Sequence, residues 1–189
     1  MNLINKEFIL KSISLKEGES FWKFNPFQLK KDLNSLNEIK SFKFKLYSNG
    51  ILKIIIEEKE PYMLWKISNK KKIIDEKANI LNYDKFGNEN LIIINGYIDK
   101  NKFLKLNDVL KKNKKFKKNI KFIFFSENIG WKILLKDSTC LQLPLNEIDQ
   151  ILNVFKEIQD SQIYSKYRSY DMRILERVYI KKNHKCLAS

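Results

Sequence analysis

The residue types that could carry covalent or metal chemistry are few in this chain, and they are badly placed for it. His184 is the only histidine, near the end, with no partner carboxylate or cysteine at ligand spacing. Cys140 could act as a nucleophile only beside a base, and His184 is the one imidazole available. Glu57, Glu58 and Glu60 crowd the end of a strand, but Lys53 and Lys59 dilute them. That reads as a charge-laced strand end rather than an acid/base pair. No dinucleotide fingerprint, phosphate-binding loop, nucleophile elbow or zincin motif occurs. The expectation is a protein that is not an enzyme and uses no metal or cofactor.

The two cysteines, Cys140 in a strand-like stretch and Cys186 four positions from the end, form no metal spacing. A buried inert thiol plus a thiol on a frayed tail is the simple reading, and tail geometry leaves a disulfide between them open.

Charge is the other conspicuous feature. The chain carries 37 Lys+Arg against 22 Asp+Glu over 189 residues, a formal charge of +15. The basic residues divide into 34 Lys and only three Arg (Arg168, Arg173 and Arg177), and Lys, Ile and Asn together fill 80 positions. These types share A/T-rich codons, so a biased genome accounts for the excess without selection for phosphate binding. Arginine, the residue suited to bidentate base and phosphate contacts, is nearly missing. No nucleic-acid partner is expected, although a basic nucleic-acid-binding protein is the first rival reading. Runs such as Lys70-Lys71-Lys72 and Lys111-Lys112-Asn113-Lys114-Lys115 read most simply as solvated loops, with attraction to an anionic membrane surface as the functional alternative. Hydrophobic residues make up 43%, enough for a core. No apolar run approaches the roughly 18 residues of a membrane-spanning helix.

The elements that hold these residues read as follows. Asn5 caps a helix over 5–14 with Phe8, Ile9 and Ile13 at helical spacing, and Gly18 ends the pattern. Asn25-Pro26 starts a second helix with Leu29, Leu33 and Leu36 in a stripe. Phe42–Leu46 alternates as a half-buried strand, Asn49-Gly50 supplies a tight turn, and residues 51–56 return. Short strands follow over 62–67, 71–75, 79–82, 91–94, 120–125, 130–136, 139–143 and 170–181, with helices over 99–112 and 145–160 between them. Helices and strands in blocks indicate an α+β fold. The expected division is a helix–helix–strand–strand unit over 1–58, a mixed sheet with flanking helices over 59–182, and a disordered tail over 183–189.

The first unit, running into Glu58-Lys59-Glu60-Pro61 and on to Trp65, resembles a POTRA module followed by the β domain of the bacterial cell-division family FtsQ/DivIB. Ile73-Ile74-Asp75-Glu76 resembles the family's apolar-apolar-Asp strand, and Leu91-Ile92-Ile93-Ile94-Asn95-Gly96 its Leu-Pro-x-x-x-Gly segment. Trp131-Lys132-Ile133-Leu134-Leu135 with Leu143-Pro144 is similar to its Trp-x-Leu-x-Leu hairpin. Asp171-Met172-Arg173 with Arg177-Val178 is similar to its terminal Asp-Leu-Arg segment and last strand. The chain departs from the pattern at Lys59 (usually Arg), Ala78 and Ser138 (usually turn Gly) and Ile92 (usually Pro). Family members carry a cytoplasmic tail, one membrane span and a first POTRA strand ahead of this region, so the resemblance implies a fragment or a start placed too far downstream.

The resemblance implies a non-enzymatic scaffold of the divisome, anchored in the inner membrane at the septum with this region periplasmic. It implies FtsB and FtsL as partners, a strand of FtsB adding to the exposed edge of the last strand, and further division proteins docking on the POTRA unit. That edge is expected to run from Ile174 to Lys181, with Ile174, Glu176, Val178 and Ile180 facing one way and Leu175, Arg177, Tyr179 and Lys181 the other. Arg177 would meet an acidic partner residue and Tyr179 would supply an aromatic anchor. Asp171 and Arg173 are expected as a structural charge pair, and Trp65 and Trp131 as core. The remaining rival, a POTRA protein of a secretion or outer-membrane assembly system, calls for POTRA repeats or a barrel downstream.

Overall fold

The computed structural model describes residues 3–68, 70–83, 91–182 and Cys186. His184 and the rest of the expected tail, 183–185 and 187–189, lie outside the described residues.

The first part of the chain builds its own small core. Helix α1 (Lys6–Ser12) is capped by Asn5, whose side chain accepts the Glu7 N–H. After a 3-10 turn (Phe21–Lys23), helix α2 (Pro26–Asn34) begins under Asn25, whose side chain accepts the N–H groups of Phe27 and Gln28. Strands β1 (Ile39–Leu46) and β2 (Leu52–Glu58) pair antiparallel as a two-stranded sheet. Its inner face, Phe42, Phe44, Leu52, Ile54 and Ile56, packs against Ile9, Ile13, Leu29 and Leu33 of the helical side. Two strands alone bury little, and both helices are too short to persist without that sheet.

The larger unit is a nine-stranded mixed sheet. It comprises β3 (Met63–Ile67), β4 (Lys70–Ile74), β5 (Ile80–Leu81), β6 (Ile92–Asn95), β7 (Ile120–Ser126), β8 (Gly130–Leu135), β9 (Cys140–Leu143), β10 (Ser169–Ile174) and β11 (Arg177–Lys181). Their order across the sheet is β11-β10-β9-β8-β7-β6-β3-β4-β5. One row of side chains shows how the core forms: Ile94, Ile123, Ile133, Leu141 and Tyr170 are partners in successive register across five strands, and none is exposed. Helices α3 (Lys100–Lys112), α4 (Lys114–Asn119) and α5 (Ile148–Gln159) lay Phe103, Leu106, Leu110, Phe116, Ile151 and Phe155 on that face. A short helix α6 (Gln162–Lys166) leads into β10. Phe155, Tyr164 and Tyr170 stack about one another with centroids 5.8 to 6.0 Å apart.

The architecture is therefore α+β, a helix–helix–strand–strand unit ahead of a mixed sheet with flanking helices. Two local expectations change. The lysine runs are not loops: Lys70–Lys72 lie in β4, and residues 111–115 end α3 and begin α4. Phe116 explains the second case, because burying it against Phe155 (centroids 6.1 Å apart) holds an otherwise all-polar turn of helix on the core. The cysteines are not two separate thiols: Cys140 and Cys186 are joined in a disulfide spanning 46 positions.

Several motif residues hold the chain at turns and between segments far apart in sequence. The Glu58 carboxylate accepts the Leu3 and Ile4 N–H groups, each at 2.9 Å. Asp75 is buried in the turn after β4, where it accepts Asn79 N–H (2.8 Å), Asn79 Nδ2 (2.9 Å), Lys77 N–H (2.9 Å) and the Lys59 ammonium (3.0 Å). Lysine at 59 thus still reaches this carboxylate. Ala78 and Ser138, the two positions where the family pattern has Gly, sit at φ 61° and 69°, so the turns keep their left-handed geometry despite the Cβ. Gly96 is a position where no side chain fits, since a Cβ would stand 2.3 Å from the Phe125 carbonyl oxygen.

Burial pushes the Asp75 carboxyl up, but the Asn79, Lys59 and Lys77 donors outweigh it and hold it below the usual carboxylate range. A depressed folded-state value contributes stability that is complete above the unfolded value of about 3.9 and is lost as pH falls through the folded one. Thermal melts from pH 7 down to pH 3 should therefore show a falling midpoint below about pH 4. Asp75→Asn should lower the midpoint at pH 7 and flatten that acid limb; an unchanged acid limb would remove Asp75 from the account.

Candidate partner-docking edge

The carboxyl-terminal hairpin occupies one margin of the large sheet. β10 is parallel to β9 and antiparallel to β11, and β11 is the end strand, hydrogen-bonded to a neighbour on one side only. All five residues of β11 are exposed. Such a margin leaves alternate N–H and C=O groups of the strand unpaired.

The structure divides the segment expected as one strand. A register shift in β10 between Asp171 and Ile174, then a turn at Leu175-Glu176, folds 169–181 into a hairpin. Ile174 is the last residue of β10 and Glu176 lies in the turn, so the free strand holds only Arg177, Val178, Tyr179, Ile180 and Lys181 of the expected set. The alternation survives within it. Ile180 pairs with Tyr170 on the helix-covered face, while Tyr179 pairs with Asp171 and Lys181 with Ser169 on the open face. Ile174 pairs with Arg177 and shares its side, against the expectation that the two would oppose each other.

The hairpin is unusually apolar for an exposed margin. Ile174, Leu175, Val178, Tyr179 and Ile180 are all large and exposed, from 37% to 55%. Sheet margins are normally protected by proline, inward charges or a covering element. Here Glu176 at the turn, Arg177 and Lys181 are the charged residues that interrupt the apolar surface.

Asp171 and Arg173 form the charge pair expected: the guanidinium donates from Nε at 2.8 Å and from a terminal nitrogen at 2.6 Å. That hydrogen bond chiefly holds the Asp171 carboxyl low and the Arg173 guanidinium high. On the open face Asp171 and Tyr179 stand between two shallow hollows, of about 300 and 400 Å³. Gln142, Ser169 and Lys181 line the first, and Pro144, Leu145, Arg173 and Ile174 help line the second.

Trp131 is buried against Phe125. Trp65 is half-buried and donates from its indole nitrogen to the Gly96 carbonyl at 2.9 Å, and Pro61 precedes β3. Trp22 is 91% exposed. The Cys140–Cys186 disulfide ties Cys186, beyond β11, to β9, closing a loop that contains α5, α6, β10 and β11. The position of Cys186 near the end of the sequence gave no signal for this.

The profile of the cell division protein FtsQ/DivIB C-terminal region matches residues 63–173. The chain belongs to the FtsQ/DivIB family. The match covers β3 to β9, all but the last residue of β10 and the helices between them, and it takes in the segments at 73–76, 91–96 and 131–135. A comparison with curated proteins returned no match. The role of the chain is in cell division, in a family of membrane-associated proteins of the division site. No helix among the described residues is long and apolar enough to cross a membrane, and no group of histidine, cysteine and carboxylate side chains among them could hold a metal ion.

Proposed function

We propose that this protein is a non-enzymatic divisome scaffold that captures FtsB, together with FtsL, by accepting a strand on β11. The observation that carries the reading is the free margin itself: an end strand with five exposed residues set in an apolar hairpin. About five main-chain hydrogen bonds at roughly 0.5–1.5 kcal/mol net each give modest affinity. Specificity then falls to side chains: Tyr179 as an aromatic anchor, Val178 and Ile180 as apolar contacts, and Arg177 and Lys181 toward acidic partner residues. Glu176 and Ile174 act at the turn rather than along the strand.

In this reading residues 59–182 are the partner-binding β domain and 1–58 a POTRA-like unit offering a second surface to other division proteins. The region works in the periplasm at the septal inner membrane. The disulfide supports an exported location, because such bonds persist in oxidising compartments and are rare in reducing ones. The test is co-purification of the chain with the FtsB and FtsL proteins of its own organism. A stable complex is expected. Failure to recover FtsB in the presence of FtsL, from a chain shown to be folded, would overturn the assignment.

A further inference from the structure

The segment from the end of α3 through α4 to the start of β7 is a second feature that the docking edge does not use. Residues 111–121 hold seven lysines in eleven positions and no acidic residue. Genome bias raises lysine everywhere, yet only 34 of 189 residues are lysine overall, so it does not account for this local density. The fold sorts the segment cleanly. Leu110, Asn113, Phe116 and Ile120 point inward and are buried, and Lys111, Lys112, Lys114, Lys115, Lys118 and Lys121 are all exposed.

Neutralisation is incomplete. Lys111 pairs with Glu76 at 2.6 Å and Lys112 lies 3.7 Å from Asp149. Lys117 is spoken for by the Tyr62 ring, 4.0 Å from its ammonium. Among the described residues no carboxylate pairs with Lys114, Lys115, Lys118 or Lys121. Within α4, Lys114 and Lys118 stand one turn apart, and Lys115 and Lys118 three positions apart, both repulsive spacings. A six-residue helix that concentrates like charge works against its own stability, and an anionic counterpart would relieve it.

We infer that the α3–α4 corner is a binding surface for anionic phospholipid headgroups, through which the sheet unit lies against a membrane. Its chemistry selects this occupant. The corner presents ammonium groups only, with neither the arginine forks that read bases nor an exposed aromatic ring on which bases stack. Point charges on flexible stems suit a plane of phosphates, where each contributes independently of geometry. The surface is independent of β11, and it belongs to a family that works in association with the membrane.

The experiment is co-sedimentation of the full chain with vesicles of phosphatidylcholine containing phosphatidylglycerol, against vesicles of phosphatidylcholine alone. A variant carrying Lys114→Gln, Lys115→Gln, Lys118→Gln and Lys121→Gln is compared with one carrying Lys30→Gln, Lys43→Gln, Lys71→Gln and Lys166→Gln. The second set removes the same charge from exposed, dispersed positions. All eight side chains are on the surface, and circular dichroism confirms that both variants fold. The wild type should bind only the anionic vesicles, with at least about a tenfold loss in the corner variant and much less in the dispersed one. Equal losses in both variants would reduce the effect to net charge and overturn the proposal. So would no binding to anionic vesicles, or tighter, corner-dependent binding to duplex DNA.

Discussion

A proline at one of two adjacent positions, Val178 or Tyr179, should abolish FtsB binding while leaving the sheet folded. Successive N–H groups along a strand point to opposite sides. One of these two residues therefore donates to β10 and the other faces the free margin. Proline removes the donor and is tolerated in a sheet only where that donor faces outward. The outward-facing substitution should leave the thermal midpoint near that of the wild type and reduce binding at least about a hundredfold, as expected from losing main-chain pairing and adding a clash at the centre of a five-residue strand. The inward-facing one should lower the midpoint as well. If both variants bind FtsB as the wild type does in a titration, the strand-addition mechanism is wrong.

The second large effect concerns the disulfide. Converting Cys140 and Cys186 to serine should cost about 4 kcal/mol of unfolding free energy, the loop-closure value for a bond spanning 46 positions. Because the closed loop contains β10 and β11, the loss should fall on the hairpin first and show as faster proteolysis after residue 168. Urea denaturation of the double variant, and of the wild type with and without dithiothreitol, measures it. Equal midpoints in all three samples, with the bond confirmed by mass spectrometry in the oxidised wild type, would mean that the bond carries no share of the stability.

What the sequence showed and what it hid follow from how each feature is encoded. Capped helices were legible because Asn5 and Asn25-Pro26 are local signals that the backbone obeys directly. The β1–β2 hairpin was legible because Asn49-Gly50 sits between alternating strands and Gly50 takes φ 82°. The β10–β11 turn was not legible: Leu175 and Glu176 carry no turn preference and neither adopts a positive φ. Tertiary pairing to β9 and the bulge in β10, rather than turn chemistry, reverse the chain there. The strand on which function was placed was accordingly expected to be longer than it is.

Two further features depend on contacts far apart in sequence. Helix α4 carries four lysines in six residues and has no periodic apolar face; only the pocket that receives Phe116 makes it a helix. The disulfide joins a strand in the sheet to a residue four positions from the end of the sequence, a proximity that no spacing rule contains. By contrast, Ala78 and Ser138 looked like departures from the family pattern and prove conservative in geometry, since both turns keep the left-handed backbone that glycine would favour.

The central claim is that β11 offers its outer main-chain groups to a guest strand, and hydrogen–deuterium exchange of the chain with and without FtsB tests it most directly. The account predicts new protection confined to alternate amides within 177–181, with the exchange of β1, β2 and the helices unchanged. Protection that falls on β1 and β2 instead, or a complex that forms with no slowing at any amide of β11, would contradict it.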